Sequence, residues 1–309
     1  MAKKIAFIFP GQGSQTLGML AEFAKEFSII RDTFIEASHV LKFDLWELCQ
    51  EGPEVALNQT ENTQPALLTA SVALWRVWQQ QRGLKPTFMA GHSLGEYSAL
   101  VCGGALDFMT AVRLVAERGR LMQAAVPPGV GAMAAIVGLD NDKIQALCES
   151  LAEGQVLSPA NYNSIGQTVV AGDAAAVQRL IEQAKPAGAK LVKLIPVSVP
   201  SHCALMKPAA KHLAETLETI HISVPHIPIV NNVDVVIEHD PSLIKKALVE
   251  QLYNPVRWVE IIQELEKRGI EEMIECGPGK VLAGLNKRIT SIPTLSLQDP
   301  EILQEALIG

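Results

Sequence analysis

No apolar run in this 309-residue chain reaches the ~18 residues needed to cross a bilayer. The start, Met1 to Lys4 followed by Ile5 to Phe9, lacks both the long apolar region and the cleavage site of a secretory leader, so a cytoplasmic location is expected. Cysteine is scarce. Cys49, Cys102, Cys148, Cys203 and Cys276 are odd in number, far apart and outside any CxxC spacing, which argues against a disulfide framework or a zinc site and predicts reduced thiols. Positive charge is in deficit, with a formal net charge of −7, so no general affinity for nucleic acid is expected. Any anionic partner must therefore meet a local basic patch. Internal repeats, low-complexity stretches and long charged runs are also absent. What remains is a chain with 48% hydrophobic residues, enough for a sizeable core or for one large domain carrying a smaller one.

The apolar stretch Ile5 to Phe9 reads as a strand running into the turn Pro10-Gly11-Gln12-Gly13, where glycine permits backbone closed to other residues. Thr63 and Pro65 stand at helix-start positions before Ala66 to Gln80, and a short strand from Phe88 to Ala90 precedes Gly91-His92-Ser93-Leu94-Gly95, with a helix from about Glu96. From Ala132 to Val197 the pattern is β-α-β-β-α-β: Ala132 to Leu139, Asp142 to Glu153, Gln155 to Tyr162, Gln167 to Ala171, Ala174 to Lys185 and Lys190 to Val197. Such a series closes on itself as a ferredoxin-like unit, which predicts a small inserted domain at 127–197. The flanks, 1–126 and 198–309, then form one large α/β-hydrolase-like domain. Strands at Ile227 to Val230 and Met273 to Cys276, with helices at Ser242 to Leu252, Val256 to Arg268 and Val281 to Arg288, predict a parallel sheet covered on both faces.

Gly91-His92-Ser93-Leu94-Gly95 matches G-x-S-x-G, whose glycines allow a sharp strand-to-helix turn that lifts a serine hydroxyl above the sheet. The bland alternative is a glycine turn that only packs helix on sheet. As a nucleophile Ser93 needs a base. His39, His212, His221, His226 and His239 lie among polar or charged neighbours, and His92 adjoins Ser93 and is expected to point elsewhere. His202 follows the segment Val197-Ser198-Val199-Pro200-Ser201 leaving the small domain, so it can reach the mouth of an interdomain cleft; a capping or packing role is its alternative.

In the helical stretch Asp107 to Ala125, Ala111, Val115, Arg118 and Met122 share one face, whereas Arg113, Glu117 and Arg120 occupy another. Arg118 therefore sits in the apolar stripe, where its guanidinium needs a partner: an internal carboxylate or a ligand. Acyl transfer also requires donors for the oxyanion, and the backbone N–H groups of Leu94 and Gln12 are candidates. The glycines from Gly11 to Gly18 fit neither nucleotide-loop spacing, and Gly277-Pro278-Gly279-Lys280 reads as a helix-start turn rather than a phosphate cradle.

Taken together, Phe9-Pro10-Gly11-Gln12-Gly13-Ser14-Gln15, Gln64-Pro65-Ala66, Gly91-His92-Ser93-Leu94-Gly95-Glu96, Arg118-Gly119, Pro200-Ser201-His202, Asn231-Asn232-Val233 and Gly277-Pro278-Gly279 closely resemble the bacterial malonyl-CoA:acyl carrier protein transacylases of fatty acid synthesis. The likeness spans nearly the whole chain. It implies a ping-pong transfer of malonyl from coenzyme A to a carrier's phosphopantetheine thiol, with Ser93 as nucleophile, His202 as base, Arg118 as clamp on the malonyl carboxylate, and Gln12 and Leu94 as oxyanion donors. It further implies that the Gln251 backbone carbonyl orients His202 and that Gln64 lines the pocket. The partners expected are malonyl-CoA and an acyl carrier protein, with no metal, no separate cofactor, no nucleic acid and no membrane, and the chain is expected to act as a monomer. Lys190, Lys193, Lys207, Lys211, Lys287 and Arg288 are candidates for a basic rim facing an acidic carrier. A serine hydrolase of the esterase or thioesterase kind is the rival reading, opposed by the position of His202, with over a hundred residues behind it.

Overall fold

The computed structural model describes residues 3–196 and 199–308. Val197 and Ser198, where the expected small-domain boundary falls, lie outside the described residues.

Five strands, β1 (Ile5–Phe9), β2 (Phe88–Gly91), β7 (Ile229–Val230), β8 (Glu272–Glu275) and β9 (Thr294–Ser296), form a sheet in the order β7-β2-β1-β8-β9 with every pairing parallel. The central strand β1 shows why this sheet must be covered on both faces. Ile5, Phe7 and Phe9 enter one apolar core, together with Trp75 and Trp78, while Ala6 and Ile8 enter another with Trp258, Ile261 and Ile262. A strand apolar at every position cannot face water on either side. β9 was not anticipated; its three residues are too short a run to stand out from the surrounding loop.

The second sheet contains β3 (Gly131–Val137), β4 (Leu157–Ser164), β5 (Gln167–Asp173) and β6 (Leu191–Leu194), antiparallel throughout and ordered β4-β5-β3-β6. With the helices Asn141–Leu151 and Ala174–Ala184 this is the expected ferredoxin-like arrangement. One face of its sheet packs on those helices through Ala134, Ile136, Val170, Val177 and Leu180. The other carries Met133, Ala160, Val169 and Ala171 against Cys203, the neighbour of His202.

One element differs from its sequence reading. The helix expected to begin at Thr63 or Pro65 instead runs from Thr60 to Gln80, with Pro65 inside it. The missing proline N–H removes one helical bond, yet the segment is buried on nearly every side, and packing outweighs that loss. Its first turn is held instead by the Thr63 hydroxyl, which donates to the Leu57 carbonyl at 2.6 Å. The five cysteines are free and buried.

Candidate active site

The carboxyl ends of β1, β2 and β7 converge, as ligand sites in open parallel sheets do. β1 delivers Gln12, β2 delivers Ser93, and β7 delivers Asn232. Between β2 and the helix Gly95–Cys102 the chain turns so tightly that a Cβ on Gly91 would lie 1.9 Å from the Gly95 carbonyl carbon, and one on Gly95 would lie 2.0 Å from the Phe9 oxygen. Only glycine fits at both places, and Ser93 between them is held at φ 52°. A serine at positive φ stores strain that its surroundings must offset. Asn232 does so directly, its Oδ1 accepting from Ser93 N–H at 2.7 Å and its Nδ2 donating to the Gly91 carbonyl at 2.7 Å.

The Ser93 hydroxyl stands 2.8 Å from His202 Nε2. His202 Nδ1 lies 2.7 Å from the Gln251 backbone carbonyl. A carbonyl only accepts, so Nδ1 carries the proton and Nε2 is free to accept from Ser93. His202 is also at positive φ, 62°, pinned by its own N–H to the Leu252 carbonyl at 3.0 Å.

Arg118 reaches the same hydroxyl from the helix Phe108–Ala125, its Nη2 3.3 Å from Ser93 Oγ. The neighbouring residue makes this possible, since a Cβ on Gly119 would strike the Glu61 backbone at 2.6 Å. The two helices therefore touch closely enough for Arg118 Nη1 to donate to Gln64 Oε1 at 2.8 Å, while Nη2 donates to Gln251 Oε1 at 2.9 Å. Its guanidinium also lies 5.3 Å from the centre of the Tyr97 ring. Among the described residues its hydrogen-bond partners are all uncharged, and the buried Nε has none.

A cavity of about 430 Å³ is lined by Ser93, His202, Arg118, Gln12, Leu94 and Met122, with Met133, Asn161, Asn163 and Val169 of the antiparallel sheet on its other wall. The backbone N–H groups of Gln12 and Leu94 meet no protein acceptor among the described residues. Gln64 contacts Arg118 from behind and is not part of the cavity wall. His92 is not turned away from this space as expected: it lines the cavity, with Nε2 2.8 Å from Asn163 Oδ1, a link between the two sheets. A separate, larger hollow of about 690 Å³ around Trp75, Arg76, Phe108 and His226 holds none of these residues. Two contributors, Asn232 and Glu96, were quoted as sequence motifs without a task; an asparagine pair directly after a short strand near the nucleophile turn was the available signal.

The model of the acyl transferase domain family matches residues 6–291. This chain belongs to the acyl transferase family. The acyl transferase is 58% identical over 305 residues to the malonyl CoA-acyl carrier protein transacylase of Escherichia coli, covering 98% of this chain and 99% of that one. It is 44% identical over 306 residues to the protein of the same name in Bacillus subtilis, with coverage of 98% and 96%. Among solved structures, a malonyl-transacylase in complex with its type II PKS acyl-carrier protein matches with a TM-score of 0.98 and 55% identity over 99% of each chain.

Electrostatics suit an acyl transferase that needs a neutral base. Burial, and then the Arg118 charge, lower the His202 pKa to about 3, so the imidazole is uncharged at neutral pH. Burial also lowers the Arg118 pKa, but a guanidinium starts so high that it stays charged. Behind them Glu96 is raised to about 7, chiefly by burial and against the pull of Gln251, Asn232 and Arg118. Far from the cavity, Glu275 accepts from the N–H groups of Leu282 and Ala283, so an internal carboxylate already fills the helix start at Gly277-Pro278-Gly279-Lys280.

Proposed function

We propose that this acyl transferase carries a malonyl group on Ser93, taking it from coenzyme A and delivering it to the phosphopantetheine thiol of an acyl carrier protein. The observation that carries the reading is the position of Ser93 Oγ, 2.8 Å from His202 Nε2 and 3.3 Å from Arg118 Nη2. A malonyl ester holds its carboxylate one methylene from the ester carbonyl. A cation that recognises it must therefore stand beside the nucleophile, as Arg118 does.

In the first half, Ser93 Oγ attacks the thioester carbonyl as its proton passes to His202 Nε2. The oxyanion is held by the N–H groups of Gln12 and Leu94, the C–S bond breaks, and the coenzyme A thiolate leaves with the proton from His202. In the second half, the carrier thiol gives its proton to His202 and attacks the ester, and Ser93 leaves with that proton. The Gln251 carbonyl keeps the imidazole in the required tautomer, and Gln64 holds the second arm of Arg118. Residues 127–197 act as a small domain that walls the cavity opposite the large domain of 1–126 and 198–309.

The chain works as a monomer in the cytoplasm, a reading supported by free, buried cysteines. Lys190, Lys193, Lys207, Lys211, Lys287 and Arg288 are all exposed and supply a rim for an acidic carrier. The hydrolase reading is not favoured, since the relatives are named as transacylases. Intact-mass measurement after mixing with malonyl-CoA alone should give a persistent adduct on Ser93 that disappears when carrier is added and never forms in Ser93→Ala. Rapid release of free malonate without carrier would overturn the reading in favour of a hydrolase.

A further inference from the structure

Glu96 is a buried carboxyl for which the transfer chemistry has no use. It stands in the first turn of the helix Gly95–Cys102, on the far side of Ser93 from the cavity, and its Oε2 accepts two hydrogen bonds, from Asn232 N–H at 3.1 Å and from Gln251 Nε2 at 2.8 Å. Each donor residue has further holds on the site. Asn232 grips the turn on both sides, through Ser93 N–H and the Gly91 carbonyl. Gln251 touches three groups at once: its backbone carbonyl meets His202, its Oε1 meets Arg118, and its Nε2 also donates to the Ser93 carbonyl at 3.0 Å.

We infer that Glu96 is a positioning residue, whose oxygen fixes the Asn232 loop and the Gln251 amide so that nucleophile, base and cation stay in one register. The inference rests on the acyl-transfer reading above. A glutamine amide fits its site in two orientations differing by half a turn. Arg118 offers only donors and Glu96 offers an acceptor, so a single orientation satisfies both sides, with Oε1 toward the cation and Nε2 toward the carboxyl. Remove the acceptor and Asn232 N–H is left buried without a partner, Gln251 loses one of its two Nε2 bonds, and the arm that steadies Arg118 is free to shift.

Geometry rather than charge is the operative property. Glu96 faces Arg118 from one side and the negative charge of Asp234 from another, with the Tyr97 hydroxyl on its own helix, and its pKa of about 7 means that it is partly protonated at neutral pH. Its Oε2 accepts in either state. A cavity of about 20 Å³ behind it, bordered by Asn231 and Glu238, has space for about one water.

The test compares Glu96→Met, which keeps the length of the side chain and loses the oxygen, with Glu96→Gln, which keeps the oxygen and loses the charge. Single-turnover acylation by malonyl-CoA and by acetyl-CoA, followed by intact mass, gives a ratio of rates that does not depend on the folded fraction. Glu96→Met should lower the malonyl preference about tenfold or more, and Glu96→Gln should stay within about threefold of the parent. Should Glu96→Met not fold, Glu96→Ala is read in the same way. A parent-like preference in the methionine or alanine variant overturns the inference, because a residue that merely stabilised the fold would change the amount of active protein and leave the ratio alone. Loss of preference in Glu96→Gln also overturns it, by making charge the operative property. A parent protein that forms no malonyl adduct would instead remove the transfer reading itself.

Discussion

Arg118 offers the sharpest quantitative test. Its guanidinium is 1% exposed, yet the described residues supply it only with uncharged oxygens, those of Gln64 and Gln251 at 2.8 and 2.9 Å and the Ser93 hydroxyl at 3.3 Å. A malonyl carboxylate arriving there makes charge-assisted hydrogen bonds, each contributing about 1.5 to 3 kcal/mol, so a two-bond contact stabilises the bound acyl group by roughly 3 to 6 kcal/mol. Acetyl gains none of this. At about 1.4 kcal/mol per tenfold, Arg118→Ala should lower malonyl acylation of Ser93 by a factor of ~10² to 10⁴ and leave acetyl acylation within about tenfold of its starting value. Arg118→Lys should fall between them, since a lysine offers a point charge rather than a planar fork. The assay is single-turnover acylation with each coenzyme A ester, both measured on one preparation so that losses of folded protein cancel. An unchanged preference for malonyl over acetyl in Arg118→Ala would refute the clamp.

Two other outcomes follow from the same geometry. His202, lowered to about 3, should stay an unprotonated base as the pH falls, so the malonylation rate per active site should show no inflection between pH 8 and 5 attributable to it; an inflection near the ordinary histidine value of about 6.5 would contradict the burial argument. Gly95→Ala sets a Cβ 2.0 Å from the backbone oxygen of Phe9, in the central strand, and should destabilise the protein by about 3 kcal/mol or more, seen as a lower Tm together with loss of the Ser93 adduct; parent-like melting would show that the turn is looser than its contacts indicate.

Legibility from sequence followed the range of the interactions involved. The nucleophile turn is local: strand, glycines and helix start all lie within a dozen residues, and the steric need for Gly91 and Gly95 is written in the motif itself. Arg118 was readable because helical phase is also local, and Ala111, Val115 and Met122 are indeed buried beside it. The β-α-β-β-α-β order gave the antiparallel sheet, since neighbouring elements there pair with one another. By contrast, Asn232 and Gln251 stand 139 and 158 residues from Ser93 in sequence, and nothing near them announces a contact with its backbone. The start of the helix Thr60–Gln80 was misplaced because proline is a helix-start signal only where tertiary packing does not override it.

The orientation of His202 by a backbone carbonyl rather than a carboxylate follows from the presence of Arg118. An aspartate placed against His202 Nδ1 would raise the basicity of the imidazole, but it would also stand near a buried cation with which it could pair. That cation would then be neutralised from within, and a substrate carboxylate would have to displace an internal anion before binding. The Gln251 carbonyl fixes the tautomer without adding charge, and the Gln251 side chain separates the only buried carboxyl close by, that of Glu96, from the guanidinium by contacting one with each end of its amide. The consequence is a weaker base, with the His202 pKa at about 3, beside a positive charge held open for the acyl group. Selectivity for a charged acyl chain and low basicity of the catalytic imidazole are thus two results of one choice of neutral neighbours.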